Sequence, residues 1–270
     1  MLQFRNDILT VYQSALYQTT TTIVHTKDLI LIADPNFLPH EIDEIKRYVD
    51  TIRGGRDLYL LFTHGDYDHV IGSGAFPNAT TIASQSLAEC SYKQETVDSI
   101  HQFDAKYYIE RNYPVSFPKI DIVVQHNGQQ LQVGETILTF YLAPGHTNDG
   151  LFTVLEREGI WIAGDYLSDF EVPFIYDSAV SYFNTLLLAE KILQKHPISY
   201  LIPGHGKMTS DRVEMERRIA FSTKYLNDLK HDVKTDNEAA LHKLCNNMAY
   251  ASDFTRQCHE TNINMMKKML

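Results

Sequence analysis

The stretch LYLLFTHGDYDHVIGSG, residues 58–74, places four polar side chains directly after an apolar run. The apolar residues are typical of a buried strand. Two histidines and two aspartates follow within six positions: His64, Asp66, Asp68 and His69. Imidazole and carboxylate groups are common ligands of divalent metal ions. The stretch is therefore either a polar surface loop or half of a metal site, and the residues downstream decide between the two.

Three later segments repeat the order of a short apolar run followed by one potential ligand. They are YLAPGHTNDG (141–150) with His146, IWIAGDYLSD (160–169) with Asp165, and YLIPGHGKM (200–208) with His205. A single histidine after a strand is usually a hydrogen-bonded loop residue, but four segments with the same order favour one shared site, because strand ends meet at the rim of a sheet. Seven ligands suit two metal ions about 3.5–4 Å apart that share one carboxylate and activate a water.

The rest of the first two hundred residues alternates short apolar runs with helix-period segments. Residues 19–35 predict two strands with a turn at Lys27–Asp28, and a helix from Pro39 ends at Gly54–Gly55. Further strands are predicted at 57–63 and 79–84, three within 121–145, a hairpin turning at Glu158–Gly159, and one at 198–202. Residues 86–111 and 181–197 are predicted to be mostly helical.

From Ser210 onward the sequence contains no further strand signal. Met215, Ile219, Leu226 and Leu229 fall on one helical face, and the segments 237–250 and 263–270 continue as helices. We therefore predict two parts: a mixed domain over residues 1–209 and a C-terminal helical extension over 210–270 that packs on it. Such a tail either covers the mouth of the site or mediates a homodimer.

With these motifs in order, the chain resembles the metallo-β-lactamase fold superfamily of binuclear metallohydrolases and is similar in layout to glyoxalase II. The resemblance rests on THGDYDH (63–69), APGHT (143–147), AGD (163–165) and PGHG (203–206), and it covers about residues 15–210. It implies a mixed α/β fold, a four-layer αββα sandwich of two mixed sheets with helices outside, with the helical tail added.

The resemblance also implies a role for each of the seven ligands. His64, Asp66 and His146 would hold one metal ion, Asp68, His69 and His205 the other, and Asp165 would bridge the two. Asp68 and Asp165 would be the catalytic residues, since they hold the bridging hydroxide that attacks the substrate. Asp34, which ends an early strand in LILIADP (29–35), would support the site from behind the ligands.

Asp66 departs from the family pattern, because most members have a histidine at that position. An aspartate is an acceptable zinc ligand, but it is harder than imidazole and adds a negative charge. Two divalent metal ions are expected. Zinc is the first choice, and manganese and iron are the alternatives because Asp66 is a harder ligand than histidine.

The function implied is hydrolysis of an ester, thioester, lactone or phosphodiester bond in a small molecule. One alternative is a flavodiiron-like di-iron domain that reduces oxygen or nitric oxide; in that group the corresponding carboxylate is a glutamate, and the tail here lacks the strands of a flavodoxin module. The other alternative is a non-catalytic member that senses a ligand. The complete ligand set favours the hydrolase.

Aromatic residues after Asp165 predict the substrate contacts. Tyr166, Phe170, Phe174 and Tyr176 lie in YLSDFEVPFIY (166–176), close to the predicted rim of the site. Rings over a metal site favour an apolar or ring-bearing substrate. The alternative is that the same rings pack the tail helices onto the sandwich.

Composition and sequence patterns indicate the expected partners and cellular location of the protein. Lys and Arg number 24 against 34 Asp and Glu, a formal charge of −10 that disfavours nucleic acid as a partner. The first residues lack the pattern of a signal peptide, and no apolar run has the length of a membrane span. Three widely spaced cysteines fit reduced thiols. We expect a cytoplasmic protein that is not bound to a membrane.

Overall fold

The computed structural model describes residues 1–246, Tyr250 and 252–270. Its first sheet has seven strands in chain order. They are β1 (Leu2–Arg5), β2 (Leu9–Gln13), β3 (Thr20–His25), β4 (Leu29–Ala33), β5 (Asp57–Leu61), β6 (Thr80–Ser84) and β7 (Ile122–Val124). Strands β1 to β4 pair antiparallel and β4 to β7 pair parallel, so the sheet is mixed as predicted.

The second sheet has five strands in the order β12-β11-β10-β9-β8. They are β8 (Gln129–Val133), β9 (Thr136–Leu142), β10 (Leu151–Leu155), β11 (Ile160–Ile162) and β12 (Tyr200–Ile202). All neighbours are antiparallel except β11 and β12, which run parallel because the chain crosses over through a helix between them.

Eight α-helices complete the described part of the chain. They are α1 (Pro39–Ile52), α2 (Tyr67–Val70), α3 (Gln85–Ala88), α4 (Lys93–Tyr107), α5 (Ala179–Lys195), α6 (Arg212–Lys234), α7 (Glu238–Asn246) and α8 (Asp253–Met269). Helix α1 begins at a proline, whose fixed φ suits the first helical turn, and it buries Ile42, Ile45 and Val49 on one side.

Three apolar clusters separate the layers of the fold. One lies between the sheets and joins Leu31 and Leu61 of the first to Phe140 and Ile162 of the second. A second lies between the first sheet and helices α1 and α4, and a third between the second sheet and helices α5, α6 and α8. The order helix, sheet, sheet, helix confirms the predicted αββα sandwich.

The structure adds elements that the sequence did not predict. Strands β1 and β2 extend the first sheet at its N-terminal edge. Residues 86–111, predicted to be mostly helical, contain the end of α3 and all of α4. The short α2 falls inside the ligand motif. Of the predicted helix 237–250, the structure describes α7 up to Asn246, and residues 247–249 lie outside the described residues.

Beyond residue 211 the described residues are mostly helical. Met215, Leu226 and Met266 belong to the same apolar cluster as Trp161 of β11 and Tyr182 of α5. The division into a domain of residues 1–209 and an extension of residues 210–270 stays a prediction. Within the described residues, no helix combines the length and the apolar character that crossing a membrane requires.

Candidate metal centre

Four of the predicted ligands lie in one turn that follows β5. The strand leads into Thr63 and His64, Asp66 precedes the first residue of α2, and Asp68 and His69 lie within α2. His64, Asp68 and His69 are buried, while the side chain of Asp66 remains 38% exposed and faces a cavity. The residues between β5 and α2 and the first turn of α2 thus direct four potential ligands to one place.

The side chain of Asp34 stabilises this turn through its contacts with Thr63 and His69. Its Oδ1 accepts a hydrogen bond from the backbone N–H of Thr63 at 2.9 Å, and its Oδ2 accepts from the Thr63 hydroxyl at 2.6 Å. The same Oδ2 lies 3.0 Å from Nδ1 of His69. Asp34 has a φ of 50°, a left-handed conformation that aspartate tolerates better than most residues. This geometry agrees with the supporting role implied for Asp34.

The other three ligands follow β9, β11 and β12. Two glycines allow their loops to come close. Gly145, before His146, has a φ of 129°, and a Cβ atom there would lie 2.4 Å from the backbone of Tyr182. A Cβ atom at Gly204, before His205, would lie 2.2 Å from Oδ1 of Asp165. A side chain at Gly145 would push the His146 loop away from α5, and one at Gly204 would push the His205 loop away from Asp165.

The structure brings all seven predicted ligands together in two groups. One group is His64, Asp66, His146 and Asp165, the other is Asp68, His69 and His205, and within each group the potential ligand atoms lie within 4.8 Å of one another. Asp165 touches both groups: its Oδ2 lies 3.3 Å from Nε2 of His146 and 3.1 Å from Nε2 of His205, and its Oδ1 lies 3.1 Å from Nε2 of His69.

The four histidines all present the same nitrogen to the centre. Their Nδ1 atoms are engaged on the outside: His64 with the Thr63 hydroxyl, His69 with Asp34, His146 with the carbonyl of Phe174 at 2.8 Å and His205 with the carbonyl of Tyr17 at 2.8 Å. A proton on each Nδ1 leaves Nε2 as an acceptor, which is the form that binds metal.

Two of the inward nitrogens lack a hydrogen-bond partner among the described residues, whereas Nε2 of His205 contacts Oδ2 of Asp165. Nε2 of His64 and Nε2 of His146 are buried without a hydrogen bond, and Nε2 of His69 lies 3.3 Å from Nε2 of His205. Buried lone pairs that face one another are unfavourable unless a cation lies between them. The donor set of four imidazoles and three carboxylates therefore fits two divalent cations.

The electrostatics of the cluster also favour positive charge. Burial lowers the pKa of His69, His146 and His205, but the carboxylates around them, Asp165 above all, overcome it and raise these pKa values well above the usual one, to about 10 for His205. Burial likewise opposes ionisation of Asp66 and Asp165, yet the histidines hold both pKa values far below normal. Carboxylates that stabilise imidazolium groups stabilise a metal cation in the same way.

A cavity of about 420 Å³ opens over the two ligand groups. Of the predicted substrate contacts, Phe174 and Tyr176 line it. Tyr166 and Phe170 do not: Tyr166 is buried beneath the site, where its hydroxyl accepts a hydrogen bond from the N–H of His146, and the ring of Phe170 packs on Tyr250. The buried hydroxyl of Tyr166 thus finds its hydrogen-bond partner in the loop that carries His146, and Tyr166 supports that loop.

Several lining residues were not predicted. They are Tyr17, Tyr67, Tyr92, Glu95, Glu171 and Phe254. Burial raises the pKa of Glu171 to about 7, with Asp165 and Asp68 adding to the effect and His205 opposing it. Tyr67 could have been found from its place inside the ligand motif, and Glu171 from its place among the aromatic residues after Asp165. Tyr17 and Phe254 carry no such signal, because they reach the cavity from distant parts of the chain.

The tail helices hold the loops that carry the later ligands. Asn262 of α8 is fully buried, and its Oδ1 accepts from the N–H of Ile175 at 2.7 Å while its Nδ2 donates to the carbonyl of Pro173 at 2.6 Å. These two bonds flank Phe174, whose carbonyl accepts from His146. Arg218 of α6 donates to the carbonyls of Leu167 and Lys207, each two residues beyond a ligand.

Comparisons with known structures agree on the fold. An inverting sec-alkylsulfatase, Pisa1 from Pseudomonas sp., superposes with a TM-score of 0.70 at 11% identity over 99% of this chain, which spans 50% of that protein. The metallo-beta-lactamase family protein TTHA1429 from Thermus thermophilus gives 0.68 at 14% identity, covering 97% of this chain and 93% of its own. ETHE1 from Myxococcus xanthus gives 0.57 at 18% identity, covering 82% and 91%.

Among curated protein sequences, none matches the chain significantly. The sequence model of the metallo-beta-lactamase superfamily matches residues 54–205, which include all seven predicted ligands and more than half of the chain. The chain therefore belongs to the metallo-beta-lactamase superfamily.

Proposed function

We propose that the protein is a binuclear metallohydrolase that cleaves an ester, thioester, lactone or phosphodiester bond in a small molecule. The superfamily and the His/Asp cluster give the metallohydrolase-type fold and support the use of divalent metal. The observation that carries the proposal is the common orientation of the four imidazoles, each held at Nδ1 and turned with Nε2 toward three carboxylates. That arrangement is costly to build unless cations use it.

Each ligand has a defined part in this proposal. His64, Asp66 and His146 form one binding group and Asp68, His69 and His205 the other, with Asp165 in contact with both. When bound, two divalent ions lower the pKa of a water that they share and polarise the scissile group. Asp68 and Asp165 orient the attacking water, and Phe174 and Tyr176 limit the access of bulk solvent.

The metal is proposed to be zinc, with manganese or iron as the alternatives because of Asp66. Elemental analysis of the purified protein, with no metal added, tests this assignment. About two zinc or manganese ions per chain support the hydrolase. Two iron ions would instead favour the redox alternative, a di-iron oxygen or nitric-oxide reductase. A protein that holds no metal and binds none on reconstitution would contradict both.

Substitution of single ligands tests the residue roles. Asp68→Ala and His146→Ala should abolish metal-dependent turnover, with a loss of at least about a thousandfold, because each removes a ligand from a different group. Circular dichroism should show that the fold is intact. Full activity in either variant would refute the assignment. Cytoplasmic location and a homodimer stay predictions.

A further inference from the structure

The charge of the cavity is the first sign of its ligand. Five carboxylates line it, from Asp66, Asp68, Asp165, Glu95 and Glu171, and no lysine or arginine is among the described residues that do so. Two divalent ions would be offset by the three aspartates together with the hydroxide that the ions share, which leaves the charges of the two glutamates uncompensated. Sites that bind a phosphate, sulfate or carboxylate tail normally supply arginine or lysine for it. An anionic substrate tail is therefore a poor fit to this cavity.

Glu171 is the glutamate best placed to meet a substrate. Its side chain is only partly buried, it lines the cavity beside His205 and Phe174, and no hydrogen bond to its carboxylate occurs among the described residues. A carboxylate in that position attracts a cation at short range. Glu95, on α4, lies exposed at the same cavity and adds to the negative field.

Aromatic rings form the wall next to Glu171. Tyr17 and Phe254 have ring centroids 5.9 Å apart, and Phe254 and Phe174 have centroids 6.0 Å apart, so the three rings form a continuous surface, here called the aromatic wall. Tyr17 is 46% exposed and Phe254 48% exposed, so about half of each side chain remains accessible at the cavity. Tyr176 adds a fourth ring over His146.

Rings and carboxylates together recognise a particular chemistry. The faces of aromatic rings attract cations, and a quaternary ammonium group is the cation best suited to them because it is weakly hydrated and needs no hydrogen-bond acceptor. Resting on the proposed hydrolase function, we propose that the substrate carries a quaternary ammonium group, which lies against the aromatic wall next to Glu171 while the scissile bond faces the metal centre.

A matched pair of small ligands tests this proposal directly. Choline and 3,3-dimethylbutan-1-ol have the same shape and the same hydroxyl, and only choline is charged. Calorimetric titration of the metal-loaded protein at about pH 8, where Glu171 is ionised, should show choline binding at least about tenfold more tightly. Equal affinity, or tighter binding of the neutral alcohol, would overturn the proposal.

Variants assign the preference to the proposed residues. Glu171→Gln should reduce the preference for choline over the alcohol by about tenfold, because it removes the charge and keeps the shape. Phe254→Ala should weaken choline binding by about threefold to tenfold. Phe221→Ala is the matched control, since Phe221 is 43% exposed on α6 and does not line the cavity. An equal loss in Phe221→Ala and Phe254→Ala would overturn the role of the wall.

Turnover on the same sample separates this proposal from the function it rests on. Acetylcholine and 3,3-dimethylbutyl acetate are the corresponding esters, and metal content is measured in parallel. Metal-dependent cleavage of both esters at equal kcat/KM refutes the ammonium assignment and leaves the hydrolase intact. A protein without metal that cleaves neither ester but prefers choline refutes the hydrolase and supports the ammonium site.

Discussion

The two halves of the candidate metal centre are built in different ways. The earlier half, from His64 to His69, is one short segment that runs from the end of β5 into α2, and Asp34 at the end of the neighbouring strand bonds to it. The later half comes from three loops spread over residues 146–205, and helices beyond residue 211 hold them. One half depends on its immediate neighbours in the sheet, and the other depends on a distant part of the chain.

This difference explains what each half needs in order to keep its geometry. The earlier ligands share a backbone turn, so one hydrogen-bonded carboxylate is enough to fix them. The later loops are separate in the chain. The N–H of Gly204 donates to the Gly164 carbonyl, and Asn262 and Arg218 of the tail add bonds to backbone groups of these loops. Outer partners of this kind commonly change metal affinity by about 10–100-fold when they are removed.

The largest effect is expected from the anchor of the earlier half. Asp34→Ala leaves the Thr63 N–H and Nδ1 of His69 buried without a partner, which should cost about 3 kcal/mol of stability and lower metal affinity by about 100-fold. Urea unfolding and competition with a metal chelator measure the two effects. Asp34→Asn, which keeps the shape and the acceptor for Thr63, should lose less of both. Equal losses in the two variants would contradict this explanation.

A smaller effect is expected from Arg218 in the later half. Arg218→Met removes the donor to the carbonyls of Leu167 and Lys207 and should cost about 2 kcal/mol and lower metal affinity by about tenfold. Arg217→Met is the matched control, because Arg217 pairs with the same Glu214 but is half exposed. The same two measurements apply. A loss of affinity in Arg217→Met of the same size would show that the pairing with Glu214 matters, and not the loop contacts.

Asn262→Leu tests the second contact from the tail. The leucine has a similar volume but leaves the Ile175 N–H and the Pro173 carbonyl unpaired, so we expect about 1–2 kcal/mol of destabilisation and a threefold to tenfold lower metal affinity through the His146 loop. Asn264→Leu changes an exposed asparagine of the same helix and should leave metal affinity unchanged. Unchanged affinity in Asn262→Leu would remove α8 from the account of the metal centre.

The smallest effect concerns pH and the tail itself. Burial lowers the pKa of His259, which the Leu241 carbonyl and Glu260 only partly offset, so the folded protein keeps it neutral. The unfolded chain takes up this proton near pH 6.5, so the contribution of His259 to stability is complete above that pH and falls below it. Between pH 7 and pH 5, the Tm of His259→Gln should therefore decrease less than that of the parent protein. His25 and His196, whose pKa values are also lowered, are present in both proteins and cancel in the difference.

How far the sequence predicts the structure follows the same division. The sequence predicts the earlier ligands because they lie close together in one motif: His64, Asp66, Asp68 and His69. It predicts the later ligands because each follows an apolar strand. The contacts of Asn262 with Pro173 and Ile175 cross almost ninety residues, and no local pattern indicates them. For Tyr166 the local pattern is misleading. Its position after Asp165 predicts a place in the cavity, but its hydroxyl lies beneath the cavity and accepts a hydrogen bond from the N–H of His146.

The strands at the N-terminal edge were missed for a physical reason. Nearly every side chain of residues 9–13 is buried, so this segment lacks the alternation of buried and exposed residues that marks a half-buried strand. The segment 2–5 is too short and too exposed to show such a pattern. Tyr17, which follows these strands, enters the cavity only because β2 and β3 pair around it.

Helix α8 contributes Phe254 to the cavity and Asn262 to the loop behind His146, and these residues are eight positions apart, about 12 Å along one rigid rod. A change that shifts α8 so that the cavity accepts a different substrate also shifts Asn262, which supports the loop behind His146. We therefore expect substrate selectivity and metal affinity to change together when α8 is altered, so that a mutational path toward one is constrained by the other.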